Sequence, residues 1–316
     1  METKKLISVV LPLFNEEKNV EAIVDAVFKH IDARYALEII LVNDGSSDNT
    51  SIEILKVCER DPRVKGILFY KNFGHQPALI AGLEKAKGDA VITMDSDFQH
   101  PPEKLPELIA LWEQGHDLVM ARKEHDNKDD LITYFIRKLG YLFYKYLSSG
   151  KMVSGVSDFR LTDKILISHL KKFGEYRISL RALFLNLSNK PAYVLYNVGK
   201  RRAGRSGYNL YKLYNLYISS ITSFSLVPLR GATIIGILLI LFSFAYLFYI
   251  LFVRFVLGYQ IIQGWTALIF VVIVLFGFMF FYLGLLGEYI GTIFEEVKGR
   301  PKFLVKSYIN FDVTKD

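Results

Sequence analysis

A single cysteine, Cys58, stands among 316 residues, so no internal disulfide can form and a disulfide scaffold is excluded. Within "SIEILKVCERD" it reads as a small apolar residue packed on a helix. Neither His75 nor His100 has a second His or Cys at metal-ligand spacing, so both read as polar lining residues rather than zinc ligands. An apolar leader is missing as well: "METKKLISVVLPLFNEE" is interrupted too soon for a signal peptide and is expected to form a strand. No internal repeat or low-complexity segment appears.

Charge is absent from two long stretches. Residues 231–253, "GATIIGILLILFSFAYLFYILFV", are 23 residues without a charge, enough to cross a hydrocarbon core of about 30 Å at about 1.5 Å per residue. After the turn-like "GYQIIQG", a second uncharged run from about Trp265 to Leu286 ends near Glu288, and a transmembrane helical hairpin is expected. Lys200, Arg201, Arg202, Arg205, Lys212 and Arg230 precede the hairpin, and Lys298, Arg300, Lys302 and Lys306 follow it. By the positive-inside rule both flanks are expected on the cytoplasmic side of a plasma membrane. The net charge of +7 is thus concentrated at the membrane flank, so nucleic acid is not an expected partner.

The N-terminal part alternates β-branched runs with helical spacing: "LISVVLPLF", "LEIILVNDG", "VKGILFY", "AVITMD" and "DLVMA" as strands, with amphipathic helices between them. That pattern predicts an α/β domain built on a mostly parallel sheet, with ligands at the carboxyl ends of the strands. Residues 123–150 read as a polar loop leading into an aromatic helix that contacts membrane, a subunit, or the domain itself.

Polar motifs fall at those strand ends. In "MDSDFQHPP", Asp95 and Asp97 stand at alternate positions before the bend enforced by Pro101 and Pro102. Two carboxylates that close raise each other's pKa unless a cation lies between them, and a hard divalent ion with oxygen ligands, Gln99 among them, is the expected occupant. In "VNDGSSDNT", Asp44 ends a strand where an acidic group can accept hydrogen bonds from a base or ribose, while Asp48 or Ser47 caps the next helix. "LPLFNEE" brings Glu16 to the same crevice, with favourable placement at a helix N-terminus as its simpler reading. Lys71 is either solvated or faces an anion. "SDFRL" lies beyond the sheet pattern, and Asp158 with Arg160 reads as a surface ion pair of little worth unless it serves a site. Lys200, Arg201, Arg202 and Arg205 on a glycine-broken loop can bind phosphate. The following aromatics at 208, 211, 214 and 217 draw a stripe suited to a membrane interface.

Taken in order, "VVLPLFNEE", "VNDGSSDNT", "KNFGHQPALIAGL", "MDSDFQHPPE", "SDFRL", "RRAGRSGYN", "LGLLGEYIG" and "EEVKGRPKFLV" resemble the polyprenyl-phosphate glycosyltransferases of glycosyltransferase family 2 over nearly the whole chain. The likeness extends to dolichol-phosphate mannose synthase and, more closely, to bacterial undecaprenyl-phosphate (bactoprenol) glucosyltransferases. It implies a GT-A catalytic domain at 1–205 and a juxtamembrane amphipathic helix at 206–230. Two transmembrane helices within 231–287 (about 231–253 and 265–286) and a cytoplasmic tail at 288–316 would follow. It also implies a nucleotide-sugar donor bound by Pro12, Phe14, Glu16, Asp44, Lys71 and Asp95, and Mg²⁺ or Mn²⁺ at Asp95, Asp97 and Gln99. Asp158 and Arg160 would be catalytic, and Arg201, Arg202 and Arg205 would bind the lipid phosphate and diphosphate. The expected reaction is inverting transfer of glucose from a UDP-sugar to polyprenyl phosphate by a homo-oligomer, a tetramer among the options. UDP-N-acetylglucosamine or GDP-mannose is the alternative donor, and a non-catalytic scaffold with a degenerate domain is the alternative class. The family's G-x-S-K reads Gly204-Arg205-Ser206-Gly207 here, and His75-Gln76 replaces a common Lys-Glu. No Q-x-x-R-W motif of a processive synthase is present.

Overall fold

The computed structural model describes residues 4–124, 155–170, 180–197, 227–256 and 264–311. The expected aromatic helix within 123–150 and the basic loop and interfacial helix within 200–226 lie outside them. Two compact units result, one holding the N-terminal part with residues 300–316 and the other holding the apolar helices.

In the first unit the strands are β1 (Leu6–Leu13), β2 (Ala36–Asn43), β3 (Val64–Phe69), β4 (Ala90–Thr93), β5 (Leu118–Lys123), β6 (Val156–Asp163), β7 (Pro191–Tyr196) and β8 (Val305–Ile309). They form one sheet in the order β7-β5-β6-β4-β1-β2-β3-β8. The helices are α1 (Val20–His30), α2 (Thr50–Arg60), α3 (His75–Lys85), α4 (Leu105–Glu113), α5 (Lys164–Leu170) and α6 (Leu180–Leu187). Strands β4, β1, β2 and β3 are parallel, as the βαβ pattern requires. Both faces are covered, because alternate residues enter different cores. Val9 and Leu11 with Ile39 and Leu41 face α1, α2 and α4, whereas Val10 with Ile40 and Val42 faces α3, α5 and α6.

The sheet is more mixed than the sequence pattern predicts. The "SDFRL" segment, read as outside the sheet, is β6, antiparallel to both β4 and β5 in the middle of it. Its apolar alternation is hidden by Asp158 and Arg160, which share one face while Phe159 and Leu161 fill the opposite core. The expected tail likewise contributes a strand, Val305–Ile309, to the sheet. β8 pairs antiparallel with β3 at the edge of the sheet, and Asn310 fixes it by donating from Nδ2 to the carbonyls of Cys58 and Val64 at 2.7 and 2.8 Å. The first unit is therefore discontinuous in sequence, closing with a strand that a five-residue run was too short to announce.

The second unit contains α7 (Val227–Phe255) and α8 (Trp265–Val297), which contact each other. Both expected apolar runs are helical and extend past the predicted ends, since a helix ladder does not stop where charge begins. Among the described residues one stretch, Val274–Val297, is long and apolar enough to cross a membrane, and only 6% of it is buried. The apolar part of α7 is a shorter run, Ala232–Tyr246.

Candidate active site

Strand order reverses at β1: β2 and β3 lie to one side of it, and the chain then crosses back to place β4 on the other. The carboxyl ends of β1 and β4 thus open onto a crevice, the general ligand position of such sheets. Three loops fill its rim. The loop after β1 and the loop after β2 are laced together: Asn15 accepts the Ser47 N–H at 2.8 Å, the Glu16 N–H donates to Thr50 Oγ1 at 2.9 Å, and Glu17 accepts the Asn49 N–H at 3.1 Å. Asn15 is left-handed (φ 56°), a conformation its short polar side chain tolerates. The N-cap of α2 is Asn49 rather than the expected Asp48 or Ser47, and Asp48, one residue earlier, accepts the Thr50 N–H at 3.0 Å. Pro12 is buried, its carbonyl accepting from Ser96 Oγ at 3.3 Å, and Phe14 is half exposed at the mouth. Glu16 receives Asn19 Nδ2 at 2.5 Å.

Asp44, read from sequence as an acceptor for a base or ribose, has backbone partners within the structure. Its two oxygens accept the backbone N–H groups of Phe73 at 2.7 Å and Gly74 at 2.9 Å, and the residue is buried. Burial raises its pKa, and those two N–H bonds offset part of the rise. Asp44 therefore clips the β3–α3 loop to the end of β2. Gly45 makes the clip possible, because with φ +64° its missing Cβ would lie 2.2 Å from the Lys71 carbonyl carbon. Lys71 itself is exposed, its Nζ 5.3 Å over the Phe73 ring.

The D-x-D loop after β4 is held from behind. Phe98 takes a left-handed φ of 63°, an uncommon conformation of the kind that clusters at functional sites. His100, expected to line the site, is instead buried under it, stacked on Phe159 at 5.2 Å, with Nδ1 accepting the Asp95 N–H at 2.9 Å. That bond requires the neutral ring, and burial lowers the pKa of His100 in the same sense. Asp97 is 8% exposed and accepts the Gln99 backbone N–H at 3.0 Å, while the Asp95 carboxylate is more open.

Asp158 and Arg160 emerge two residues apart on the face of β6 that meets α3 and α6, so they are far from a surface pair. Arg160 is fully buried, its guanidinium 3.5 Å from Asp158 Oδ1 and 5.1 Å over the Phe184 ring, and none of the three guanidinium nitrogens makes a hydrogen bond among the described residues. Because it lies beneath Asp158, it acts on the crevice through that carboxylate. Asp158 also receives Gln76 Nε2 at 3.2 Å and stands 3.5 Å from Arg181 Nη2 and 3.7 Å from His75 Nε2. Burial alone would raise its pKa, but His75, Arg160 and Arg181 hold it well below the usual carboxylate range. His75 stands between Asp158 and Asp95, 3.6 Å from the latter. Burial depresses its pKa, yet the two carboxylates outweigh burial and raise it.

The structure thus gathers Pro12, Phe14, Glu16, Asp44, Asp95, Asp97, Gln99, Asp158 and Arg160 around one edge. Arg201, Arg202 and Arg205 lie outside the described residues. Arg181 escaped the sequence reading. Its signal is a lone charge in the apolar "LRALFLNL", a helix whose Phe184 and Leu180 are buried and which therefore carries its arginine toward the core. No group of three or more His, Cys, Asp or Glu able to hold a metal exists among the described residues. Two carboxylates with a diphosphate completing the shell is nonetheless the ordinary arrangement for Mg²⁺-type ions, and the oxygen-only donor set at Asp95 and Asp97 fits it.

Residues 8–168 match glycosyl transferase family 2. The chain is 37% identical over 304 residues to an SfII prophage-derived bactoprenol glucosyl transferase of Shigella flexneri, covering 95% of this chain and 97% of that one. It is 35% identical over 304 residues to a prophage bactoprenol glucosyl transferase homolog of Escherichia coli (strain K12), covering 95% and 98%. Among solved structures it is similar to glucosyl-3-phosphoglycerate synthase from Mycobacterium tuberculosis in complex with Mn²⁺, UDP and phosphoglyceric acid, at 21% identity and TM-score 0.48 over 68% of this chain and 75% of that one. With its GT-A-like mixed sheet and a match spanning half its length, the chain belongs to glycosyl transferase family 2.

Proposed function

We propose that this chain transfers glucose from UDP-glucose to polyprenyl phosphate at the cytoplasmic face of a membrane, with inversion at the anomeric carbon. The observation that carries the reading is the near end-to-end likeness to bactoprenol glucosyl transferases, which includes the apolar helices as well as the catalytic unit. A phosphate oxygen of the lipid attacks C1 of glucose, the C1–O bond to UDP breaks, and UDP departs with the bonding electrons. Phe14 and Glu16 line the donor crevice, with Asp44 fixing the loop beside it. Asp95 and Asp97, with Gln99, would hold Mg²⁺ or Mn²⁺, which when bound supplies charge neutralisation to the leaving diphosphate.

The acceptor is already anionic near neutral pH, since a phosphate monoester has a second pKa of about 6. It scarcely needs a base, and Asp158, with its pKa held down, is a weak one. We assign Asp158 to orientation: with Gln76 and His75 it shapes the wall against which the sugar sits. Arg201, Arg202 and Arg205 would receive the lipid phosphate. The apolar helices anchor a multi-pass protein with both termini cytoplasmic, and their bundling between copies would give the oligomer.

The test uses purified full-length protein in detergent with undecaprenyl phosphate and Mg²⁺ or Mn²⁺, offered radiolabelled UDP-glucose, UDP-N-acetylglucosamine or GDP-mannose separately. Label entering the organic phase from UDP-glucose, dependent on metal and lost in Asp97→Ala, is the expected result. Transfer from another donor only would overturn the sugar assignment, and no transfer from any would favour a non-catalytic scaffold.

A further inference from the structure

The loop Tyr70–Gly74 between β3 and α3 carries no secondary structure, yet it delivers His75 and Gln76 to Asp95 and Asp158. Gly74, at φ 104°, joins loop to helix through a backbone that many conformations would satisfy. Something must therefore fix the loop from outside. One hold is the Asp44 clip on the Phe73 and Gly74 N–H groups. The other comes from the far end of the chain, a few residues after α8. Phe303 stacks on Phe69 with ring centroids 5.0 Å apart and planes 8° from parallel, and Phe69 meets Phe73 edge to face at 5.8 Å. The Tyr70 N–H donates to the Leu304 carbonyl at 3.1 Å.

We propose that Phe303 is a positioning residue for the transferase reaction, holding the β3–α3 loop through Phe69 and Phe73 so that His75 and Gln76 meet the catalytic carboxylates. The proposal rests on the transferase reading for its kinetic arm, but its structural arm does not. No group on Phe303 touches substrate; its ring closes a three-ring stack whose last member offers its own N–H to Asp44. The C-terminal segment thereby completes an active site whose other strands all precede it, the last of them, β7, ending at Tyr196.

Two measurements on the full-length protein test this. Hydrogen exchange of the Phe73 and Gly74 amides reads the loop directly. Phe303→Ala is expected to speed it about tenfold, the upper end of what one aromatic pair contributes, whereas Tyr308→Ala on the adjoining β8 leaves it unchanged. Kinetically, Phe303→Ala is expected to lower kcat with the KM for lipid unaltered, and Phe303→Tyr to restore it. In a His75→Ala/Gln76→Ala background the Phe303→Ala loss should shrink to less than about twofold, because residues acting through one another are not additive. Unchanged amide exchange in Phe303→Ala, or an equal kinetic loss in both backgrounds, would overturn the proposal. If wild-type protein transfers no sugar, the functional reading fails and the exchange result still decides this one.

Discussion

Asp158 and Arg160 form an unequal pair, and the inequality sets the outcome of mutating them. Asp158 has three cationic neighbours, Arg160, Arg181 and His75, whereas Arg160 has Asp158 as its only carboxylate partner among the described residues. Asp158→Asn therefore leaves a fully buried guanidinium uncompensated, a change that costs about 3–5 kcal/mol in comparable buried pairs. At about 2–4 °C per kcal/mol for a domain of this size, the melting temperature should fall by roughly 6–20 °C. Arg160→Met removes the buried cation itself and leaves Asp158 with two partners, so its loss should be several-fold smaller. The pH dependence follows from the depressed pKa of Asp158. Its stabilisation is fully present above the unfolded carboxylate pKa of about 3.9 and disappears as pH falls through the lower folded value. The stability gap between wild type and Asp158→Asn should accordingly narrow in acid, and, because Asp158 helps raise the His75 pKa, it should also shrink as pH rises through that raised imidazole value. Thermal unfolding in detergent across both pH ranges, followed by tryptophan fluorescence and paired with pH–rate profiles, measures both. An Asp158→Asn protein that melts within about 2 °C of wild type, yet loses the pH dependence of transfer on the acid side, would refute the buried-pair reasoning and restore a proton-accepting role.

Gly45→Ala should destabilise by about 2 kcal/mol or more, since the added methyl meets the Lys71 backbone rather than a flexible side chain and the left-handed φ adds strain; urea unfolding midpoints would show it. Asp117 bonds Ser188 Oγ at 2.5 Å and the Asn189 and Lys190 N–H groups; burial raises its pKa, but these bonds dominate and lower it. Asp117→Asn should therefore lose about 1 kcal/mol at neutral pH, a difference that vanishes as pH falls below the carboxylate range, with no change in transfer rate because the residue sits at the opposite edge of the sheet.

The alternating strands and helices, the polar motifs at the strand ends and the apolar helices are legible in the chain alone, because each is written in local periodicity or in a continuous run of one residue class. Asp95 and Asp97 were legible for the same reason: strand end, alternate spacing and following prolines are all neighbours in the chain. Tertiary structure alone decided what depends on distant partners. It showed Asp44 clipping the backbone, since the N–H groups it binds lie about thirty residues on. It put β6 inside the sheet despite its charges, because Arg160 finds Asp158 and Phe184 to face; it set Arg181 beside Asp158, and it brought in β8 from outside the predicted domain at 1–205. Five residues of strand and one arginine in a short helix carry no periodic signal; only the packing of the whole unit gives them a place.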